Sequence, residues 1–439
     1  SGTAFLRWEE GGTTYKGGKE YTVTRDVRFT ATWGEFTRVD EVRDHLASFI
    51  DGEGATVADC IPVPVGIDFT SGGSDTWEAL LEALETAGKY VALDLSQSTL
   101  TGMLMAGEFD PGTYNTGEPY IGSLTLPVGA LSIKAGTSSS APTFQHFTAL
   151  KSISGENIET IGNYAFYDGD ELSSVYLPVA KTIGTYAFYD GDGLSTVYLP
   201  VATSIGDYAF YDCDGLSTVN LPAVTSIGNY AFYDCDWLSS VYLPAATGIG
   251  TYAFQNCDRL STVYLPVATS IGTNAFQDCD GLSSVNLPAA TGIGDGAFAN
   301  CNSLSSVILP VATSLGVNSF LQCAILKSVS LPKATIIKQG VFARCPQLST
   351  VDLPEVKTID RYAFEDSKKL STVSLPKVTA INQPTSFQNC PLTSITISSG
   401  CNITLNQSIL RTDFTTYYNN HGLRGGTYLY VGGAWTGPF

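Results

Sequence analysis

The chain has 439 residues, 44% of them hydrophobic, which is enough for a large buried core. Its formal net charge of −19 and its 23 Lys and Arg residues argue against nucleic acid and anionic lipid as partners, because both require clustered basic residues. No stretch approaches the roughly 18 to 20 apolar residues of a membrane span, so we expect no direct membrane insertion.

The first segment, residues 1–35, has the composition of a small β module. From Phe5 it reads "FLRWEEGGTTYKGGKEYTVTRDVRFTATWG", with Trp, Tyr-x-x-Gly, Thr-Val-Thr and Thr-Ala-x-Trp in that order. This order resembles the second half of the Listeria–Bacteroides type, InlB B-like surface repeat. The resemblance implies a β stalk module of which only this part is present.

Residues 36–89 predict a helical cap at the amino-terminal end of the central region of the chain. Asp75 to Ala87 is the stronger helix, because Asp75 and Glu78 form a capping box and Gly88 is a stop signal. Val39 to Ile50 is a weaker amphipathic helix. The apolar faces consist of Val42, Leu46 and Phe49 in the weaker helix and Trp77, Leu80, Leu81 and Leu84 in the stronger one.

The centre of the chain is an internal repeat of 22 residues, written L-S-T-V-Y-L-P-x-A-T-x-I-G-x-Y-A-F-x-D-C-D-x. The Leu-Pro prolines keep this step at Pro178, Pro200, Pro222, Pro244, Pro266, Pro288, Pro310, Pro332, Pro354 and Pro376. A phenylalanine column keeps it at Phe144, Phe166, Phe188, Phe210, Phe232, Phe254, Phe276, Phe298, Phe320, Phe342 and Phe364.

Each repeat predicts one short strand followed by a return path. Val197 to Leu199 alternates like a strand, and Pro200 ends it because proline has no N–H for a ladder. One repeat cannot bury its own apolar side, so copies must stack into a parallel-stranded solenoid with about 4.8 Å per coil. "YVALDLS" from Tyr90 reads as its first strand, which predicts about fourteen coils over residues 90–398.

The repeat resembles the BspA-like, or Treponema pallidum type, leucine-rich repeat family. The matching residues in one copy are Leu216, Val219, Leu221, Pro222, Ile227, Gly228, Ala231, Phe232 and Cys235. The resemblance implies an α+β repeat solenoid, a right-handed arc with a parallel β-sheet on its concave face. It also implies a secreted or cell-surface bacterial protein that binds or adheres without catalysis, with any signal or anchor outside this sequence.

The carboxyl-terminal end, residues 399–439, predicts a small β cap. "TYLYVGGAWTGPF" from Thr427 alternates like the strands of a hairpin. A solenoid exposes apolar edges at both ends unless they are capped, so this hairpin is expected to close the far end.

Most of the ten cysteines occupy one column of the repeat: Cys213, Cys235, Cys257, Cys279, Cys301, Cys323 and Cys345, with Cys390 in the matching place after an insertion. Gly169, Gly191 and Ser367 replace cysteine there, which indicates a small buried slot with reduced thiols. Disulfides and metal binding are the alternatives. Cys60 and Cys401 lie outside the column, as thiols or as a pair.

An acidic ladder runs beside the thiols: Asp168, Asp170, Asp190, Asp192, Asp212, Asp214, Asp234, Asp236, Asp258, Asp278 and Asp280. We interpret these residues as turn formers that accept N–H bonds before each strand. Calcium bound between coils is the alternative, although no ligand loop with a terminal Glu is present. The sequence therefore predicts no resident metal or other cofactor.

The strand positions that face outward form the candidate binding face. Its residues are Ser174, Tyr176, Thr196, Tyr198, Thr218, Asn220, Ser240, Tyr242, Thr262, Tyr264, Ser284 and Asn286. Hydroxyls, amides and aromatic rings in this arrangement favour contact with a protein or a glycan. The competing interpretation is that Tyr and Thr favour strands and stack on their own copies.

No catalytic constellation stands out. The three histidines, His45, His146 and His421, are near no plausible nucleophile, metal motif or glycine-rich phosphate loop. We therefore predict a non-enzymatic adhesin-like protein whose partners are a host or bacterial surface protein, extracellular matrix or a glycan. The alternative is a structural spacer or a weakly self-associating surface element without a specific ligand.

Overall fold

The computed structural model describes the backbone of residues 5–10, 13–16, 30–33, 36–47, 56, 60–66, 73–98, 104–105, 108–109, 117–382, 384–403, 414–431 and 434–439. The chain divides into two compact units. Unit 1 comprises Ser1–Gly184 with Gly193–Leu199, and unit 2 comprises Thr185–Asp192 with Pro200–Phe439. The fold is a parallel-strand β-solenoid with few helices.

Unit 1 begins with β structure and two helices. Strands Phe5–Glu10, Thr13–Lys16 and Thr30–Trp33 form an antiparallel sheet within the segment predicted to be a β module. The predicted helices are present as Val39–Ala47 and Gly73–Ala87, but the second begins two residues before Asp75, so Asp75 lies inside its first turn and is not the N-cap of the predicted capping box. Their predicted apolar residues are fully buried at Val42, Leu46, Trp77, Leu80, Leu81 and Leu84, whereas Phe49 lies outside the described residues.

The main sheet of unit 1 is made of long strands, a name we use for the solenoid strands of three or more residues. They are Ile61–Pro64, Val91–Asp94, Ile121–Thr125, Ser152–Ser154, Ser174–Tyr176 and Thr196–Tyr198, paired in parallel in that order. Ile61–Pro64 falls in the segment predicted to be a helical cap. The parallel sheet therefore begins one strand earlier than residue 90, where the solenoid is predicted to start.

Unit 2 continues the long strands at the same 22-residue spacing. They are Thr218–Asn220, Ser240–Tyr242 and Thr262–Tyr264 in one sheet, and Ser284–Asn286, Ser306–Ile308, Ser328–Ser330, Thr350–Asp352, Thr372–Leu375 and Ser394–Ile397 in the next. Identical residues pair across neighbouring strands, for example Val241 with Val263. This register is what stacked copies require, because each apolar side chain then meets its own counterpart.

A second row of strands, which we call short strands, has two residues per turn. In unit 1 they are Leu104–Met105, Glu108–Phe109, Ser132–Ile133, Thr160–Ile161 and Thr182–Ile183. In unit 2 they are Ser204–Ile205, Ser226–Ile227, Gly248–Ile249, Ser270–Ile271, Gly292–Ile293, Ser314–Leu315, Ile336–Ile337, Thr358–Ile359, Ala380–Ile381 and Asn402–Ile403. The sequence predicted only a return path here.

The phenylalanine column forms the core between the two rows of strands. In unit 2 the rings from Phe188 to Phe387 stack with centroids 5.0–5.6 Å apart. In unit 1, Phe144 stacks on Phe166 at 4.5 Å. The ring spacing is close to the spacing of neighbouring strands, so one ring per turn fills the core without a gap.

A glycine follows each short strand from Thr160–Ile161 to Ser314–Leu315, where it allows close packing of successive turns. A Cβ on Gly228 would lie 2.5 Å from the carbonyl carbon of Gly206, and one on Gly272 would lie 2.5 Å from the carbonyl oxygen of Gly250. No side chain fits at such a distance from backbone, which explains the Ile-Gly pair of the repeat.

The carboxyl-terminal end of unit 2 contains the predicted hairpin. Gly426–Val431 pairs antiparallel with Ser394–Ile397, the last long strand, and Ala434–Thr436 pairs with Gly426–Val431. A helix, Phe414–Asn420, was not predicted. The described residues also include the 3₁₀ turns Glu118–Tyr120 and Pro384–Phe387.

Candidate binding face

The residues predicted to face outward do so in both units. The central residue of each of these long strands is buried, as at Val175 and Val241, or half-buried, as at Val197, and its two neighbours point to the opposite side. Ten of the twelve predicted residues are exposed, and Ser174 and Ser240 are half-buried. Unit 1 carries Ser174, Tyr176, Thr196 and Tyr198, and unit 2 carries the other eight.

The tyrosines of this face are unusually exposed for large side chains. Tyr176, Tyr198, Tyr242 and Tyr264 are 45%, 48%, 47% and 50% exposed. They stack in pairs: Tyr176 on Tyr198 at 4.9 Å and 4°, and Tyr242 on Tyr264 at 5.1 Å and 6°. Each pair covers its inner ring faces, so the solvent meets mainly ring edges and hydroxyls.

Asn220 interrupts the tyrosine column in unit 2. It is the register partner of Tyr242, so the ring face of Tyr242 on that side has an amide beside it and not another ring. The two kinds of site on this face are therefore stacked ring edges and an aromatic face next to an amide.

The tyrosines of the return path serve a different purpose. Tyr186, Tyr208, Tyr230 and Tyr252 are half-buried, stack at 4.6–4.7 Å and have φ between 56° and 57°. A left-handed backbone is costly for an aromatic residue, and the same column holds Asn274 and Gly296 further on. The conformation recurs at Tyr362, whose counterpart one turn earlier is Gly340, so the backbone path of the repeat sets it. Stacking explains how the rings of the four tyrosines pack between turns.

A second left-handed position explains much of the acidic ladder. Asp190, Asp212, Asp234 and Asp278 have φ between 56° and 61°, and Asn256 and Asn300 follow the same rule. Asp and Asn tolerate this conformation better than other side chains with a Cβ. These residues lie at turns, as predicted, but the first column is explained by the backbone conformation. In the other column the hydrogen bond runs between turns of the solenoid and not within one turn: Asp214 Oδ1 accepts from the N–H of Asp236, 22 residues later, at 3.2 Å.

Three carboxylates of unit 2 approach one another closely. Asp192, Asp212 and Asp214 each place an oxygen within 4.8 Å of the others. Burial and the nearby Asp234, Asp190, Asp214 and Asp192 raise the pKa of Asp212 to about 6. The three carboxylates therefore repel one another in the folded protein. Calcium bound by this cluster is the alternative to the turn interpretation.

The cysteine column is buried, as predicted, and its thiols have a defined hydrogen-bonding role. Each Sγ–H donates to the carbonyl of a Phe in the preceding turn, from 2.9 Å at Cys213 to 3.3 Å at Cys323. Ser367 Oγ makes the same bond to Phe342 at 3.1 Å. Burial raises the pKa of Cys390 to about 12 and that of Cys401 to about 11. The ten cysteines, all within described residues, form no disulfide.

One exposed cation–π pair was not identified from the sequence. Trp237, 53% exposed, lies beneath the guanidinium of Arg259, with 3.6 Å between Cζ and the ring centroid. The signal was visible as a Trp and an Arg at the repeat position that holds Gly193 and Gly215 in earlier turns.

The three histidines lie in separate environments. His45 packs on Phe36 at 4.8 Å between ring centroids, and burial lowers its pKa. His146 lies 2.7 Å from the amide of Gln145, and His421 Nδ1 lies 2.7 Å from the carbonyl of Tyr417. In none of these contacts is the partner of the histidine a nucleophilic side chain.

Comparison with known sequences identifies the repeat. A family model described as a BspA type leucine rich repeat region matches in six copies over residues 137–261, 181–305 and 291–413. Together these matches cover residues 137–413, which is more than half of the chain. No match was found among curated proteins.

None of the described helices has both the length and the apolar character needed to cross a membrane.

Solved structures of bacterial leucine-rich repeat proteins are similar to the chain. A leucine rich cell surface protein from Faecalibacterium prausnitzii is 23% identical over 68% of this chain and 89% of its own, with a TM-score of 0.39. A leucine-rich repeat protein from Bacteroides ovatus is 23% identical over 56% and 78%, with a TM-score of 0.40. The T. pallidum leucine rich repeat protein is 30% identical over 34% and 73%, with a TM-score of 0.32.

Proposed function

We propose that this chain, which belongs to the BspA type leucine-rich repeat family, is a non-catalytic cell-surface binding protein. Its partner is a protein or glycan of a host or of a neighbouring cell, or of the extracellular matrix. The observation that carries the proposal is the exposure of Tyr176, Tyr198, Tyr242 and Tyr264 on the long strands.

The energetic argument rests on ordered aromatic side chains. A tyrosine that is half-exposed in the unbound protein has apolar area left to bury, and its hydroxyl has a hydrogen bond to make. Stacking already fixes the rotamers within each pair, so less side-chain entropy is lost when a partner arrives.

The geometry favours a protein partner over a glycan at the stacked pairs. Sugars pack on the faces of aromatic rings, and in each pair the inner faces cover one another. A sugar has a better site at Tyr242, where Asn220 offers an amide beside the ring. The surrounding serines, threonines and asparagines suit hydrogen bonding to either partner class.

A structural role is the second candidate, and the same stacking favours it. Cross-strand pairs of aromatic and hydroxyl side chains stabilise a sheet without any ligand. In this case the chain acts as a spacer or a self-associating surface element.

Two double variants test the binding face, one in each unit: Tyr176→Ser with Tyr198→Ser, and Tyr242→Ser with Tyr264→Ser. Binding to immobilised extracellular matrix proteins and to a glycan array is measured for the full chain. At least one double variant should lose about tenfold or more in affinity, as expected when central aromatic residues of an interface are removed.

The matched control is Tyr211→Ser with Tyr233→Ser, a stacked pair on the return path at 4.8 Å. Its affinity should stay within about twofold of the parent protein. If both binding-face variants fold and bind like the parent, the proposed face is wrong and the structural role is favoured.

A further inference from the structure

Unit 1 contains a cleft that is separate from the binding face. It encloses about 410 Å³ between the turn at residues 139–150 and the following turn at residues 166–172. Phe144, Phe147 and Phe166 contribute apolar lining, and Asp168, Asp170 and Glu171 contribute carboxylates.

The cleft arises because one turn departs from the repeat. Phe147 occupies the position that corresponds to Gly169 one turn later, where other turns hold Cys, Ser or Gly. Its ring meets Phe144 edge-on at 5.0 Å, and Gly169 has no side chain to fill the space opposite. Phe144 still stacks on Phe166 at 4.5 Å, so the two turns stay in contact through the core and the cleft lies beside this stack.

The phenylalanine core is buried at this point but slightly more accessible than in regular turns. Phe144 and Phe147 are 7% and 6% exposed, whereas Phe210 and Phe232 in regular turns are 1% and 0% exposed. Since Phe166 stacks on Phe144, the accessible aromatic surface consists mainly of ring edges. A sugar ring thus has no flat aromatic surface to stack on here, but an aliphatic stem fits.

The rim of the cleft is acidic. Asp168, Asp170 and Glu171 are exposed, and none of the residues that line the cleft is basic. Lys151 approaches Glu171 from outside at 3.8 Å, which leaves the rim with an excess of negative charge. An occupant of matching chemistry carries a positive charge at the end of an apolar stem.

We propose that this cleft binds an arginine side chain of a partner polypeptide. The methylene stem lies against Phe144 and Phe147, and the guanidinium donates hydrogen bonds to the carboxylates of the rim. This inference goes beyond the proposed function, because the site, its residues and its ligand class differ from those of the binding face. Because the rim is exposed, binding weakens as salt is added.

The test uses the full chain and a pair of probes that differ in charge: Nα-acetyl-L-arginine amide and the uncharged Nα-acetyl-L-citrulline amide. Calorimetric titration is run on the parent protein and on the double variant Asp168→Asn with Asp170→Asn. Asn tolerates the φ of 58° at position 168, so this variant keeps its backbone. The matched control, Asp190→Asn with Asp192→Asn, removes two charges at the same repeat positions one turn later.

The arginine probe should bind the parent protein at least about tenfold more tightly than the citrulline probe. The cleft variant should lose about tenfold in affinity for the arginine probe, and the control should stay within about twofold. Equal binding of the two probes would overturn the proposal and point to a neutral ligand. Equal losses in both variants, or no binding up to about 10 mM, would also overturn it.

Discussion

Replacement of Asp212 by Asn should stabilise the protein near neutral pH. The Asp212 carboxyl is half-buried and surrounded by other aspartates, which together raise its pKa from 3.8 to about 6. A shift of this size corresponds to about 3 kcal/mol at 1.36 kcal/mol per pKa unit. Solvent screening of a partly exposed group reduces this to about 1 kcal/mol.

The sign of the pH dependence follows from the direction of the shift. A raised pKa in the folded state means that the fold favours the protonated carboxyl, so the penalty is absent below about pH 3.8 and complete above about pH 6. Asp212→Asn should therefore raise the midpoint of guanidinium unfolding at about pH 7 and leave it unchanged at about pH 3.5.

Asp212→Ala separates charge from backbone conformation. Alanine removes the same charge but must adopt a φ of 56°, which costs about 1 kcal/mol or more. This variant should be close to neutral at about pH 7 and destabilised at about pH 3.5. A stabilisation by Asn that is equal at both pH values, or no stabilisation at neutral pH, would refute the reasoning.

These measurements are made in buffer that contains a calcium chelator. If added calcium raises the unfolding midpoint of the parent protein and Asp212→Asn abolishes that rise, the calcium alternative is favoured.

Two further substitution pairs test the packing of unit 2 by thermal and guanidinium unfolding. Gly272→Ala should lower the free energy of unfolding by about 1–3 kcal/mol, because the new Cβ would lie 2.5 Å from the carbonyl oxygen of Gly250. Gly292→Ala, whose new Cβ would lie 3.7 Å from the Oγ of Ser314, should raise it by about 0.5 kcal/mol, and equal effects of the two would show that the packing argument is wrong. Cys257→Ser should change it by less than about 1 kcal/mol, since Ser367 makes the equivalent hydrogen bond, whereas Cys257→Val should cost about 1–3 kcal/mol from lost hydrogen bonding and overpacking. A serine variant as unstable as the valine variant would contradict the proposed role of the thiol.

The sequence alone determined the repeat, the long strands and the identity of the columns. A period of 22 residues means that each position packs against the equivalent position of the next turn. The environment of one repeat therefore applies to all of them: Phe210 is buried, Cys213 occupies a small slot and Tyr242 is exposed. The helix that ends at Ala87 and the final hairpin were also predictable, because the apolar helical face, the stop signal at Gly88 and the alternation of the hairpin strands are local signals.

Only the tertiary structure decided how the copies touch. The two-residue short strands have no alternation of their own, and they form because stacking brings the residues before each glycine into register. The positive φ of Tyr208 is likewise contrary to local preference, and it recurs at this repeat position from Tyr164 to Tyr362 because the stacked turns share one backbone path. The cleft beside Phe147 forms where an irregular turn packs against a regular one. A periodic sequence pattern predicts the packing of identical turns, but it does not predict the space left between two turns of different sequence.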